Sequence, residues 1–346
     1  MIIGIIGAGI SGLTAGRLLA RAGHEVTIIE KSRGYGGRMA TRYADKEKRT
    51  KFDHGLPWFQ AESPEFQAFV AELIEKNIVK LWGDNFAYYV DGNIFKSSPA
   101  NENIARFTAR NGMNSIGQYL GRWVDVKLNT KAGGLTCIGA GRKKKHTWMI
   151  NLTSAATFEA DAVIIATPAP QAYGILQSTI DETDTLKMVR VLDEVKYDSA
   201  FSLLAGYGKR TIPDWDGIVC KNEDIKFISN EASKRDHKQE CSLVIHSTSA
   251  FAKKHKDADH ERVTVELLQK AADIAGAWVS APEWNQLHFW RYNRTLNPLS
   301  GSYLELESPE TPLALIGDYF AGNTVDHAYS SGYKLASSWV EKYQNK

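Results

Sequence analysis

A short apolar strand, Ile2 to Ile6, runs straight into Gly7-Ala8-Gly9-Ile10-Ser11-Gly12, and the next apolar run, Val26 to Ile29, ends on Glu30. Strand, glycine turn, helix and strand fit within roughly thirty residues, with an acid shortly after, and this is the dinucleotide-binding βαβ fingerprint. Each part has a mechanical reason. Gly7 permits the tight turn, Gly9 lets a pyrophosphate approach the backbone, and Gly12 lets the helix pack closely on the strand. The helix N-terminus offers unpaired N–H groups to phosphate, and Glu30 is placed to accept hydrogen bonds from a ribose.

The first twenty residues are apolar enough to imitate a signal peptide or a membrane span. No basic segment precedes them, however, and glycines together with Ser11, Thr14 and Arg17 interrupt the run, so we expect a soluble, uncleaved chain. Net charge is only +2 over 346 residues, which gives no field pointing to nucleic acid. The one dense basic run, Arg142-Lys143-Lys144-Lys145, reads as a solvated hairpin turn between Leu135 to Ile138 and Thr147 to Leu152. Cys137, Cys220 and Cys241 lack metal or redox spacing and point to a reducing, cytoplasmic compartment. No metal site is expected.

This length fits two domains. Ser63-Pro64-Glu65 opens a helix whose apolar stripe is Phe66, Phe69, Val70, Leu73 and Ile74. Phe86 to Val90 and Ile94-Phe95 flank Asp91-Gly92, a strong hairpin signal. Ile116, Tyr119, Leu120 and Trp123 mark another helix, and Ala162 to Ala166 reads as a strand buried in a parallel sheet. Ser199 to Gly206, Ile225 to Ser229 and Ser242 to His246 read as strands, and Asp259 to Ala275 as a helix. Leu313 to Ile316 is a short buried strand, followed by a helix from about Val325 to Glu341. The nucleotide-binding architecture thus opens and closes the chain, with a second unit inserted in pieces. We expect a cofactor domain of residues 1–60, 105–172 and 305–346, and a substrate domain of 61–104 and 173–304.

Three further features decide between a nicotinamide and a flavin. Gly34-Tyr35-Gly36-Gly37-Arg38-Met39 would bring a guanidinium and main-chain N–H groups to the far side of the pyrophosphate. Ala166-Thr167-Pro168 turns the chain away at the end of a buried strand. Gly317-Asp318 puts a carboxylate where a ribityl hydroxyl, present in FAD and absent from NAD, would lie, and the helix behind it points its positive end at the flavin ring. Together with the fingerprint, the three point to FAD.

The succession GAGISG, EKSRGYGGRMATR, FDHGLPWF, VIIATPAPQA, HFWRYNR and LIGDYF…VDHAYSSG resembles the renalase group of FAD-dependent oxidoreductases, a branch of the flavin amine-oxidase superfamily. The resemblance spans essentially the whole chain. It implies an α/β fold: a Rossmann-like, three-layer β/β/α FAD domain with an inserted α+β substrate domain, in the topology shared by amine oxidases and p-hydroxybenzoate hydroxylase. It also implies that FAD is bound non-covalently, and that the reaction is oxidation of dihydronicotinamide dinucleotides reduced at ring position two or six, with oxygen as electron acceptor and hydrogen peroxide as product. Carried over by position, Ser11 and Arg38 contact the pyrophosphate region, Pro57 and Trp58 lie beside the isoalloxazine, and Asp318 through Ala328 line its ribityl and pyrimidine side. The expected cofactor set is completed by Gly7, Ala8, Gly9, Ile10, Gly12, Glu30, Lys31, Gly37, Met39, Gly55, Val126, Thr167, Pro168, Gly317, Val325 and Asp326. The chain departs from the group at two places: Pro57-Trp58 stands where a Gln-Tyr pair is usual, and Asp326-His327 where Glu-Gly is frequent.

Hydride transfer to a flavin needs proximity and stacking more than acid–base groups. A dihydropyridine that loses hydride becomes an aromatic cation and has no proton to shed, so aromatic walls are the expected equipment. Trp58, His288, Trp290 and Tyr292 are the candidates, the last three sharing one face of a strand by alternation; His327 is a further polar candidate. The rival readings are an amine or polyamine oxidase, with the same cofactor, and a flavin-free binding scaffold of the kind formed by Rab GDP-dissociation inhibitors. No nucleic-acid or membrane partner is expected.

Overall fold

The computed structural model describes residues 1–44, 50–98, 104–139, 146–179, 185–237, 239–306, 308 and 310–343; the Arg142 to Lys145 turn lies outside them. One sheet of six strands runs in the order Leu304–Glu305, Leu313–Leu315, Ala162–Ile165, Ile2–Ile6, Glu25–Ile29, Asp125–Lys127. All neighbours in it are parallel except the first pair. Ile3, Ile5, Ile28 and Ile164 face a helical layer made of Ile10–Arg21, Pro64–Glu75, Asn114–Leu120 and Val325–Tyr343. Ile6, Ile29, Val163 and Ile165 face the opposite way, onto an antiparallel three-stranded sheet of Ala132–Cys137, Trp148–Leu152 and Thr157–Ala160. A continuous apolar strand is what burial on both faces demands, and the result is the expected β/β/α sandwich.

A second sheet of seven strands takes the order Trp284–Trp290, Ala200–Gly206, Ser242–Ser247, Ile225–Asn230, Gly217–Lys221, Phe86–Val90, Asn93–Phe95. One face packs on the helices Ser249–His255 and His260–Ala275 through Phe201, Leu203, Ile245, Phe251, Val263 and Leu267. Asp259 caps the longer helix, its carboxylate accepting from the Glu261 and Arg262 N–H groups. The hairpin forms at Asp91 (φ +49°) and Gly92 (φ +79°), the doubly left-handed turn that this dipeptide favours.

We propose the same two units as the sequence does, with one correction. The helix Pro64–Glu75 was expected in the substrate domain, yet its Phe66, Phe69, Val70 and Leu73 are buried in the core shared with Ile3 and Leu13. Its stripe matches the helical layer of the cofactor unit, whose Tyr329 ring stacks on Phe69 at 4.8 Å.

Candidate active site

Four loops meet at the carboxyl edge of the six-stranded sheet. The glycine turn comes first. Gly7 holds φ +112°, and a Cβ on Gly12 would come within 2.2 Å of the Gly7 carbonyl oxygen, so the helix can start only with glycine there. A Cβ on Gly9 would meet nothing within 4 Å; that position opens to space. The helix behind it has no side-chain cap and no acid in its first turn, which leaves its N–H groups for an anion. Ala8 and Ile10 are buried beneath the turn. The second glycine loop lies directly on the first: Gly36 N–H donates to the Ala8 carbonyl at 2.9 Å, Gly37 would bring a Cβ to 3.3 Å from Gly9 Cα, and Met39 N–H turns back to Gly36.

Glu30 is buried, and its carboxylate accepts from Ala8 N–H and Ser32 N–H, both at 2.7 Å. A carboxylate has roughly four acceptor positions, so capacity for a ribose remains. Lys31 faces outward to Gln171, and Val126 pairs with Ile28 on the adjoining strand. Thr167 carries a buried Oγ1 without a hydrogen-bond partner among the described residues, and Pro168 caps the helix Ala169–Gln177. An open glycine, an uncapped helix and an unsatisfied hydroxyl on one edge fit a pyrophosphate-bearing cofactor.

Arg38 and Asp318 were expected to hold different parts of that cofactor. In the structure they hold each other, in a bidentate pair at 2.6 and 2.7 Å. Arg38 also donates to the Asn293 carbonyl at 3.0 Å and to that of Tyr292. Burial would weaken the guanidinium's hold on its proton, but Asp318 reverses this and raises its pKa. Tyr197 sits above the pair and closes it, its hydroxyl raised by burial and by the Asp318 charge. Gly317 N–H donates to Ser331 at the last helix, 3.0 Å away.

The chain from Arg38 to Trp58 links this edge to the inner face of the large sheet. Leu56 N–H returns to the Arg38 carbonyl, Gly55 packs against Trp290, and Trp290 Nε1 donates to the His54 carbonyl at 2.9 Å. His54 stacks on Trp290 at 5.4 Å and meets His288 edge-on at 5.1 Å. His288 and Trp290 share a face, as the alternation predicts, with ring centroids 4.4 Å apart. Trp58, next to Pro57, joins Trp82, Phe86, Tyr88 and Phe227, and the Arg106 guanidinium lies 5.1 Å over its ring. His246 completes the wall beside Ser202. These imidazoles stay neutral. Burial, helped by His288 and Arg42, lowers His54 to about 3; burial, with Lys234 and Lys226, lowers His246 to about 3; burial and Arg42 lower His288.

Three expected site residues have side chains engaged elsewhere. Tyr292 lies past the end of its strand, which stops at Trp290; it meets Tyr197 at 5.7 Å and contributes its carbonyl to Arg38. His327 turns back to the start of its own helix, where its N–H donates to Thr324 Oγ1 and its Nδ1 lies 2.7 Å from the same oxygen, and it makes no described contact with the wall. Asp326 is spent on the Glu62 and Ser63 N–H groups at 2.7 and 2.9 Å, while Val325 and Ala328 pack into the helical core. Sequence reasoning missed His54, Ser202, His246 and Arg106. His54 lies in the FDHGLPWF segment and His246 ends a predicted strand, but no spacing ties them together.

Comparison with known proteins agrees with this architecture. Residues 5–73 match the NAD(P)-binding Rossmann-like domain, and residues 79–338 match the flavin containing amine oxidoreductase family. The chain belongs to the flavin-containing amine oxidoreductases. FAD is accordingly its cofactor, and the protein is a flavin-dependent oxidoreductase. Curated relatives in the family match locally. An L-amino-acid oxidase of Siganus canaliculatus is 35% identical over 31% of this chain and 20% of its own length. An L-glutamate oxidase precursor of Streptomyces diastatochromogenes is 43% identical over 21% of this chain and 11% of its own length. This chain therefore spans a small part of the relatives it matches. Whole-chain likeness appears in structures: cyclohexylamine oxidase of Brevibacterium oxydans superposes with a TM-score of 0.72 at 12% identity, covering 99% of both chains. A putrescine oxidase bound to putrescine gives 0.68 at 15% identity, also over 99% of both chains. At such identities the likeness establishes the fold alone. No helix among the described residues is long and apolar enough to cross a membrane.

Proposed function

We propose that the protein oxidises dihydronicotinamide dinucleotides reduced at ring position two or six, the reaction implied by its resemblance to the renalase group. The observation that carries this reading is the charge of the substrate-side wall. Aromatic rings and neutral imidazoles form it, and Arg42, Arg106 and Lys226 adjoin it. The adjoining carboxylates are engaged: Asp53 and Glu231 with Arg235, Asp318 with Arg38, and Asp198 with Asn293 and the Arg294 N–H. Among the described residues an ammonium substrate finds no carboxylate there without a hydrogen-bonding partner, whereas the pyrophosphate of a dinucleotide finds cations.

When bound, FAD supplies the hydride acceptor, and oxygen takes the two electrons and two protons to give hydrogen peroxide, one proton from solvent balancing the formation of NAD(P)⁺. The chain's own contribution is positioning. Trp58 and Trp290 offer flat apolar surface to a nicotinamide ring, and the wall excludes water. His54, His246 and His288, being uncharged, do not oppose the positive charge that develops on the ring. The compartment we propose is the cytoplasm, on the spacing of the three cysteines.

A second reading is an amino-acid oxidase, because the same cations suit an α-carboxylate and the local relatives carry that name. Anaerobic mixing separates the two. The two- and six-reduced dinucleotides should bleach the flavin within seconds, and amines and L-amino acids should not; rapid bleaching by the latter alone overturns the proposal.

A further inference from the structure

Across four neighbouring strands of the large sheet, one row of side chains runs Phe227, His246, Ser202, His288. It lies on the face that carries Trp290 and the Trp58 cluster. His246 is 9% exposed. Its Nδ1 sits 3.2 Å from Ser202 Oγ, while its Nε2 is buried and has no hydrogen-bond partner among the described residues. The Phe227 ring lies 6.3 Å away, inclined at 30°.

A buried ring nitrogen without a partner is costly, and native proteins rarely tolerate one that nothing uses. The sheet fixes the imidazole from one side through Ser202, so the open nitrogen is a pre-oriented hydrogen-bond site in an otherwise aromatic surface. Such a site suits a flat heteroaromatic ring carrying one in-plane polar substituent. Because Ser202 can donate to Nδ1 or accept from it, Nε2 is either a donor or an acceptor. A primary carboxamide, with both an N–H and a carbonyl, satisfies either tautomer.

We propose that His246 is the specificity-determining residue that recognises the carboxamide of a nicotinamide ring, with Ser202 as its positioning partner. This deepens the function proposed above and rests on it for the identity of the natural substrate. It implies that a pyridine without the amide is a poor ligand.

The test is equilibrium binding of nicotinamide and of 3-methylpyridine to the FAD-loaded protein, followed by the perturbation of the flavin spectrum. Wild type should prefer nicotinamide by roughly tenfold or more, the equivalent of one hydrogen bond. H246F should erase that preference, H246Q should keep most of it, and S202A should fall between. With dihydronicotinamide dinucleotides, H246F should raise KM more than it lowers kcat. Equal binding of the two ligands by wild type, or an undiminished preference in H246F, overturns the assignment. A wild type that prefers nicotinamide but is not reduced by the dinucleotides removes the proposed reaction and leaves the carboxamide site standing.

Discussion

Two patches of buried polar side chains lie around the large sheet, and they are built on opposite plans. At one end Asp53, Glu231, Lys234 and Arg235 all have fully buried side chains and are paired by charge with one another. Arg235 lies 2.8 Å from Asp53 and 3.1 Å from Glu231, Lys234 lies 2.7 Å from Glu231, and the Asp53 N–H donates to Glu231 at 2.8 Å. Burial would raise the pKa of Asp53, but Arg235 and Lys234 hold it at about 2. Close by, burial keeps His54, His246 and His288 uncharged, and His54 Nδ1 and His246 Nε2 are buried with no hydrogen-bond partner among the described residues. The charge-paired patch clamps the segment of Phe52 to His54 onto the sheet. The unsaturated one keeps hydrogen-bonding capacity for a visitor. Cohesion and recognition thus call for opposite treatments of the same kind of group.

Breaking the charge-paired patch should have the largest effect. R235M leaves two buried carboxylates short of a partner and should cost about 3–5 kcal/mol, read as a fall in the urea midpoint at constant slope. Acid titration should sharpen the contrast next. His54 and His246 have depressed pKa values, so the unfolded chain binds protons that the folded one refuses. Their stabilisation is complete above about pH 6.5 and drains away as pH falls toward 3. Asp53, also depressed, contributes above about pH 4 and loses that contribution only as pH falls toward 2. H54Q should therefore flatten the upper part of a stability–pH curve and D53N the lower part; the reverse assignment would break the comparison.

Smaller effects probe the link between the patches and the cofactor edge. D318N leaves the Arg38 guanidinium facing a neutral amide and should loosen FAD by roughly tenfold or more, measured as flavin fluorescence released on dilution. W290F removes the 2.9 Å bond to the His54 carbonyl and should cost about 1 kcal/mol, with a modest slowing of flavin reduction.

Legibility in the sequence followed distance along the chain. The glycine turn, Glu30, the Asp91-Gly92 hairpin and the helix capped by Asp259 are local devices, each readable from a few adjacent residues. The pairing of Arg38 with Asp318 spans 280 positions, and nothing near either residue announces the other. The same holds for the wall. Strand order places Ser202 between His246 and His288, and no periodicity within one segment encodes which strands become neighbours. Tyr292, Asp326 and His327 share a circumstance: each sits at or just past an element boundary, where a shift of one or two residues redirects a side chain.

The contact between the first and last helices carries a consequence for how this protein is made. A Cβ on Gly332 would fall within 2.2 Å of the Ser11 carbonyl oxygen, so the final helix seats directly on the turn that begins the chain's fold, and Leu313–Leu315 completes the sheet that Ile2–Ile6 starts. Segments on both sides of the inserted large sheet must therefore be synthesised and brought together before the edge that would hold FAD is complete.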